Sequence, residues 1–182
     1  MTRAEFIFII QKSQGGDKKA FGKIYDEYFG KLYITAFQIV KNTDSAYDIA
    51  SNVILKLLEF RHDATQIQNH IGYMLTMVRN AAKNFLNKSK NEIVVSEVWE
   101  TNRKEVSDML WIEDVFAFLT KEERELFTLH IVWDMTLNSA AKRLGITYGA
   151  AKSRYKKLKT KIKSVYKTVS YTHLTLPTIL RV

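Results

Sequence analysis

A run of cations near the end of the chain has the chemistry needed to bind phosphate. Eight lysines and arginines fall between residues 152 and 167 with no acid among them: Lys152, Arg154, Lys156, Lys157, Lys159, Lys161, Lys163 and Lys167. Cations of this kind bind nucleic-acid phosphates by releasing condensed counterions, whatever the base sequence. The alternative interpretation is a charged helix that is only solvated. The residues before the run favour the first interpretation.

Catalytic chemistry is not predicted from the remaining residue types. The histidines are scattered and match no metal-ligand spacing; they are His62, His70, His130 and His173. The sequence also lacks a glycine-rich phosphate loop and a serine nucleophile elbow. We therefore predict that the protein is not an enzyme and has no catalytic residue, no metal and no cofactor.

Residues 136–155, TLNSAAKRLGITYGAAKSRY, have the pattern of a helix-turn-helix. Thr136 is expected to cap a first helix, in which small alanines allow close crossing by a second. Gly145 is expected to adopt the left-handed conformation that ends a helix, and Thr147 to cap the second helix. The cationic run therefore belongs to the second helix of the motif.

The start of that second helix is the part that enters the major groove in a helix-turn-helix. We therefore predict DNA contacts from its first turns: Tyr148, Gly149, Lys152, Ser153, Arg154 and Lys156. Lysines further along the helix are expected to contact phosphate without regard to sequence; these are Lys159, Lys161 and Lys163.

Two further polar stripes lie at helical spacing in the first half of the chain. One lies on the helix that begins after KNTD, where Thr43 or Asp44 is expected to be the cap; its members are Asp48, Asn52, Leu55 and Glu59. The other lies on the following helix and consists of Tyr73, Thr76, Asn80, Lys83 and Asn87. An aromatic, a lysine and several amides on one stripe suit bases and phosphates. A solvated face is the alternative for this stripe.

The composition favours a helical protein with a polyanionic partner. The chain has 182 residues, a net charge of +9, 46% hydrophobic residues, no cysteine and one proline. A basic balance favours nucleic acid or an anionic surface, and the scarcity of glycine and proline favours helix. No apolar run is long enough to span a bilayer. We expect a cytoplasmic protein without a membrane-inserted segment.

The apolar pattern divides the chain into two small helical domains joined by a polar linker. We expect an all-α fold with an extension at 1–17, a first domain at 18–87, a linker at 88–107 and a second domain, containing the helix-turn-helix, at 108–166. In the second domain Trp111, Val115, Phe118 and Leu119 suggest a helix, and Thr120 with Glu123 forms the pattern of a capping box. The tail at 167–182 includes the segment VSYTHLTLPTILRV, which resembles translated cloning sequence; a short native tail is the alternative.

Residues 18–165 resemble bacterial RNA polymerase sigma factors of the extracytoplasmic-function (ECF) type. The resemblance rests on the aromatic-rich AFGKIYDEYFGKLYITAFQIV, on DSAYDIASNVILKLLEF and on YMLTMVRNAAKN, which matches the family motif at Arg79 and Asn80. LTKEERELFTL and ITYGAAKSRY match the family's second domain, and the latter match is the most specific. Ser51 and Asn52 replace the family's usual Gln-Glu pair, Tyr73 its tryptophan and Asn84 its aspartate.

The resemblance implies a function in transcription initiation. It places Asp48, and with it the first stripe, on the surface that binds core RNA polymerase. It also assigns the helix carrying Tyr73, Thr76, Arg79, Asn80 and Lys83, with the loop before it, to the minus-10 promoter element. The helix-turn-helix is then assigned to the minus-35 element. Core polymerase, promoter DNA and an anti-sigma factor are the implied partners of a chain that is a monomer when free.

A second hypothesis is a free-standing helix-turn-helix regulator that dimerises through its first domain. The aromatic-rich helix supplies a candidate dimer seam. Symmetry separates the two hypotheses, because a dimer favours a palindromic operator and a monomeric sigma factor recognises two unlike elements.

Overall fold

The computed structural model describes residues 1–59, 64–91 and 111–169. Over these ranges the chain consists of helices and turns and contains no strand, which confirms the all-α fold. It separates into two compact units, residues 1–106 and 107–182. Most of the expected linker and the end of the expected tail, at 92–107 and 170–182, lie outside the described residues.

The described residues of unit 1, 1–59 and 64–91, form four α-helices and a short 3-10 turn. The helices are α1 (Arg3–Gln14), α2 (Lys18–Val40), α3 (Thr43–Leu58) and α4 (His70–Asn91), and the 3-10 turn is Ala64–Gln66. Helix α2 packs against each of the other three. It is therefore the central element of the unit.

Polar caps set the helix boundaries in unit 1. The Asp17 carboxylate accepts hydrogen bonds from the backbone N–H groups of Lys19 and Ala20 at 2.9 and 3.1 Å. Asn42, and not Thr43 or Asp44, caps α3, since its side chain accepts from the N–H of Ser45 at 2.8 Å. The expected cap was wrong by one residue because residue 42 still has the extended backbone of a cap position, with φ −138° and ψ 128°.

The core of unit 1 is rich in aromatic side chains from α2. Most apolar positions of the helical pattern are buried, including Tyr28, Tyr33 and Phe37. Leu58 and Phe85 are among the apolar residues that are less covered: Leu58 is half-buried and Phe85 is 37% exposed. Both lie near the ends of their helices, where fewer neighbouring elements remain to cover them.

Unit 2 contains α5 (Trp111–Phe118), α6 (Lys121–Phe127), α7 (Leu137–Leu144) and α8 (Tyr148–Val169), with a π-helical turn at Thr128–Val132 after α6. The capping box is present as predicted, since Thr120 Oγ1 accepts from the N–H of Glu123 and the N–H of Thr120 donates to Glu123 Oε2. Phe118 was part of the pattern that predicted α5, yet it points outward and is 61% exposed. Ile112, Val115 and Phe116 form the buried face of α5 instead.

Over the described ranges, no helix combines the length and the apolar character that crossing a membrane requires.

Candidate nucleic-acid interface

The turn between α7 and α8 has the geometry that the sequence predicted. Thr136 Oγ1 accepts from the N–H of Ser139 at 3.2 Å and begins α7. Gly145 has φ 67° and ψ 29°, the left-handed conformation that ends the helix. Thr147 Oγ1 then accepts from the N–H of Ala150 at 3.2 Å, so α8 begins after a turn of three residues, 145–147.

Small side chains allow α7 and α8 to approach closely. Ala140 and Ala141 on α7 and Ala151 on α8 are at most 1% exposed. Leu158 and Ile162 continue the buried side of α8 into the core of unit 2. The first turns of α8 are thereby fixed with one face inward and the other facing solvent.

The predicted DNA-contacting residues lie on the solvent face of α8, with one exception. Tyr148 is 52% exposed, and Gly149, Lys152, Ser153 and Lys156 are exposed as well. Arg154 is half-buried. A backbone hydrogen bond and one from Thr120 lower the pKa of Glu122, and the positive charge of Arg154 lowers it further. Arg154 therefore lies close enough to α6 to interact with an acid of its own unit.

Two of the more distant lysines have partners within unit 2. Lys161 Nζ donates to Glu123 Oε2 at 2.7 Å. Lys159 Nζ lies 5.6 Å from the ring centroid of Tyr155, which itself packs edge-on against His130 at 4.7 Å. The sequence assigned both lysines to phosphate alone. The structure shows that Lys161 also ties α8 to α6, whereas Lys159 contacts a ring on its own helix. Lys163 is exposed.

The stripe on α3 faces solvent as predicted. Asp48, Asn52, Leu55 and Glu59 are all exposed, and Leu55 is 51% exposed. The backbone N–H of Glu59 donates to the carbonyl of Leu55 and closes the last turn. Local desolvation, followed by the charge of Asp44, raises the pKa of Asp48 above the usual range. The stripe thus presents an apolar side chain flanked by acids and an amide, a pattern suited to a protein partner.

The stripe on α4 is exposed at three of the five residues assigned to the minus-10 element. Thr76, Asn80 and Lys83 are exposed, whereas Tyr73 and Arg79 are half-buried. Desolvation raises the pKa of Tyr73. Thr76 Oγ1 donates to the carbonyl of Gly72 at 2.8 Å, which fixes its rotamer on the helix. Asn80 and Lys83 are therefore the members best placed to contact a ligand.

Sequence reasoning missed α1 and its contacts with the start of α4. Phe6 and Ile10 are fully buried, and the Phe6 ring stacks on that of His70 at 4.9 Å. The signal was present as TRAE at residues 2–5, which forms a capping box between Thr2 and Glu5. A threonine followed three residues later by glutamate, ahead of an apolar run, predicts a helix start.

Titratable side chains in the described ranges form no cluster of three or more that could hold a metal ion. The buried His70 ring contacts two aromatic rings: it stacks on Phe6 and meets Tyr28 edge-on.

Comparison with known proteins gives one similar curated sequence. The chain is 23% identical to the ECF RNA polymerase sigma factor BldN of Streptomyces coelicolor in a 170-residue alignment that covers 86% of this chain. The predicted resemblance to ECF sigma factors is confirmed. The chain spans 64% of the length of that relative. No protein-family model matches this chain.

A solved structure shares the fold. This chain matches a chain of the complex of CnrH with the cytosolic domain of CnrY at a TM-score of 0.52, with 14% identity over 90% of this chain and 98% of that chain. A chain of the RsbN–BldN complex is 20% identical over 86% of this chain and 98% of that chain, with a TM-score of 0.36, too low to bear on the fold.

Proposed function

We propose that this chain is a sigma factor that binds core RNA polymerase and directs it to promoters with distinct minus-10 and minus-35 elements. The observation that carries the proposal is the exposed start of α8, with Tyr148, Lys152 and Lys156 facing solvent on a helix-turn-helix. The similarity to an ECF sigma factor extends over both units.

Unit 2 is proposed to bind the minus-35 element through the first two turns of α8. A helix in the major groove presents its N-terminal side chains to base edges, and Lys152, Ser153 and Lys156 can donate to the acceptors there. Gly149 has nothing within 4 Å of its Cβ position, so this side of the helix is open to a close partner. Arg154 is proposed to contact phosphate or a base at the edge of the groove.

Unit 1 is proposed to bind the polymerase through α3 and the minus-10 element through α4. The exposed α3 stripe of Asp48, Asn52, Leu55 and Glu59 offers negative charge around an apolar centre. Asn80 and Lys83 on α4 offer an amide and a cation to an unstacked base and its phosphate. Tyr73 and Thr76 lie one to two turns before them, and Arg79 is proposed to brace the helix beside them.

The aromatic side chains of α2 argue against the dimeric regulator. That hypothesis requires an exposed aromatic seam, yet Tyr28, Phe29, Tyr33 and Phe37 are at most 8% exposed within a single chain. Phe21 and Tyr25 are the two aromatic residues of α2 that are half-buried, so the helix leaves little aromatic surface for a second copy. The sigma-factor hypothesis requires no such seam.

An anti-sigma factor and a cytoplasmic location are parts of the same proposal. The chain that shares this fold was solved in a complex of CnrH with the cytosolic domain of CnrY. By analogy, we propose that this chain also binds a regulatory partner and that it is a monomer when free of partners.

The test is reconstitution of the full chain with core RNA polymerase. We expect co-elution in size-exclusion chromatography and, with a random-promoter library, transcription from sequences that share two unlike elements. The double variant Lys152→Ala/Lys156→Ala serves as the comparison. It should still co-elute with core polymerase but should no longer select the upstream, minus-35 element. A free chain that elutes as a dimer, ignores core polymerase and selects a palindrome would contradict the proposal.

A further inference from the structure

The side chain of Arg3 on α1 reaches across unit 1 to the segment that leads into α4. Its Nε donates to the carbonyl of Ile67 at 2.8 Å and its Nη2 to the carbonyl of Thr65 at 2.6 Å. Hydrogen bonds from a charged donor are stronger than neutral ones, and the planar guanidinium fixes both directions at once. The two bonds hold a stretch of backbone more than sixty residues away in sequence.

The held segment, residues 64–69, has a buried and an exposed side. Ala64 and Ile67 are 2% and 6% exposed and anchor the segment to the core. The intervening and following side chains are exposed and carry hydroxyl or amide groups: Thr65, Gln66, Gln68 and Asn69. Such groups donate to and accept from base edges. Their positions depend on the backbone that Arg3 holds.

Helix α1 also holds the far end of this segment. Phe6 lies three residues after Arg3, on the same face of the helix, and its ring stacks on His70, the first residue of α4. The capping box of Thr2 and Glu5 fixes the first turn of α1, so that Arg3 projects from a rigid base. One helix face thus sets both the segment and the start of α4.

We propose that Arg3 is a positioning residue for minus-10 recognition, holding residues 64–69 in the conformation that selects bases of the single-stranded element. The inference rests on the proposed sigma-factor function. Because the hydrogen bonds of Arg3 go to the backbone carbonyls of Ile67 and Thr65, Arg3 acts through the exposed side chains of the segment and not by touching DNA. Its loss should therefore change which bases are selected more than whether the holoenzyme forms.

The experiment uses holoenzyme reconstituted from the full chain, with a pool of single-stranded DNA carrying ten random bases. Wild type, Arg3→Ala, Arg3→Lys and the control Lys12→Ala are compared by sequencing the captured strands. Lys12 is an exposed cation on the same helix, where it lies over the ring of Phe8 at 4.7 Å. Lys12→Ala thus matches the change in charge without touching the segment.

We expect Arg3→Ala to reduce discrimination between best and worst base about tenfold at one or more positions, because two charge-assisted bonds are lost. The discrimination measured for Lys12→Ala should stay within about twofold of wild type. That of Arg3→Lys should lie between wild type and Arg3→Ala, since lysine keeps the charge but lacks the planar guanidinium that donates two bonds at once. Hydrogen exchange at residues 64–69 should be faster in Arg3→Ala, and core binding should be unchanged.

Three results would overturn the inference. Unchanged base preference in Arg3→Ala, or weaker capture with the same preference, would reduce Arg3 to a stabilising role. If Arg3→Ala does not fold, the test rests on Arg3→Lys. A folded Arg3→Lys variant with the same base preference as wild type would then overturn the inference. A wild-type holoenzyme that forms but selects no bases would instead refute the proposed function of unit 1. The two failures are therefore distinguishable.

Discussion

Lys161 on α8 and Glu123 on α6 form an ion pair in which Nζ lies 2.7 Å from Oε2. The same carboxylate oxygen accepts the backbone N–H of Thr120 at 2.9 Å. Glu123 therefore closes the capping box of α6 and ties the basic helix to it. The Glu123 side chain is 8% exposed and that of Lys161 is 40% exposed, so the pair is only partly screened by water.

The pair predicts an acid-dependent stability of unit 2. Burial alone would raise the pKa of Glu123, but the hydrogen bonds from Lys161 and Thr120 and the nearby lysine charges outweigh it and lower the pKa. A carboxyl whose folded pKa is lowered stabilises the fold above its unfolded pKa, and this contribution is lost as pH falls through the folded pKa. We expect Lys161→Met to lower the free energy of unfolding by about 1–2 kcal/mol at pH 7 and to move the onset of acid unfolding to higher pH.

Thermal unfolding followed by circular dichroism between pH 3 and 7 measures this effect. The control is Lys163→Met, which removes an exposed cation from the same helix. Equal losses in the two variants would show that the Glu123 pair adds nothing beyond the general charge of α8.

Local features of the fold were predictable from sequence, and contacts between distant residues were not. The turn at Gly145 and the caps at Thr136 and Thr147 follow from residue types within a few positions of each other. The pairs Arg3–Ile67 and Lys161–Glu123 join residues 64 and 38 positions apart. Periodicity carries no information on such partners, because it shows which face is buried and not what covers it.

In the candidate site, too, local features were predictable and long-range contacts were not. The exposed stripes on α3 and α4 follow from helical spacing alone, since the core lies on the opposite side of each helix. The half-burial of Arg154 and Tyr73 was not predictable, because it depends on how neighbouring elements cover one edge of the helix. The phosphate role assigned to Lys161 left out its ion pair for the same reason.

Charge reversal on the α3 stripe should weaken binding to core polymerase. Asp48→Lys reverses the charge at the centre of the match to the family's core-binding surface, and a charge pattern that no longer complements the partner weakens association. We expect at least about a tenfold loss of affinity for core, with an unchanged circular dichroism spectrum. Asp26→Lys is the control, because it makes the same change at an exposed position on α2. Wild-type affinity in Asp48→Lys would remove α3 from the proposed interface.

Truncation of Asn80 should impair promoter opening and spare closed-complex binding. The amide is exposed on α4 and is proposed to hold a base that has left the stack, a contact worth about 1–3 kcal/mol. Permanganate reactivity of the minus-10 thymines should fall about tenfold or more in Asn80→Ala. Gln11→Ala, which removes an exposed amide from α1, should leave it unchanged. Undiminished reactivity in Asn80→Ala and Arg79→Ala together would place the melting site elsewhere.

Unit 1 should lose stability in mild acid through His70. Burial, followed by the charge of the chain's amino terminus, lowers the pKa of His70 below the usual 6.5. The folded state then binds a proton less tightly than the unfolded state, so stability falls as pH decreases from about 6.5 toward the folded pKa. His70→Phe, which keeps a ring to stack on Phe6, should flatten the melting temperature between pH 7.5 and 5. Lys12→Ala should keep the wild-type slope, and a slope that survives in His70→Phe would assign the effect to another group.

The cations of α8 should divide into sequence-dependent and sequence-independent contacts. Lys152 is exposed within two turns of the helix start, where base edges are within reach, whereas exposed Lys163 lies three turns further along. Lys152→Ala should weaken the binding free energy on the preferred minus-35 element by about 1–3 kcal/mol and relax the preference at one or two base pairs. Lys163→Ala should weaken binding to all sequences about equally and lower the slope of log affinity against log salt by about one.

Binding of holoenzyme to minus-35 variants over a salt series separates the two roles. Each substitution removes one positive charge, so the salt slope alone cannot distinguish them, and the comparison between preferred and altered promoters does. Lys163 is chosen over Lys161 because loss of the Glu123 pair would confound the measurement with a change in stability. If Lys152→Ala proves as indifferent to sequence as Lys163→Ala, Lys152 contacts phosphate only, and base selection must come from Tyr148, Ser153 or Lys156.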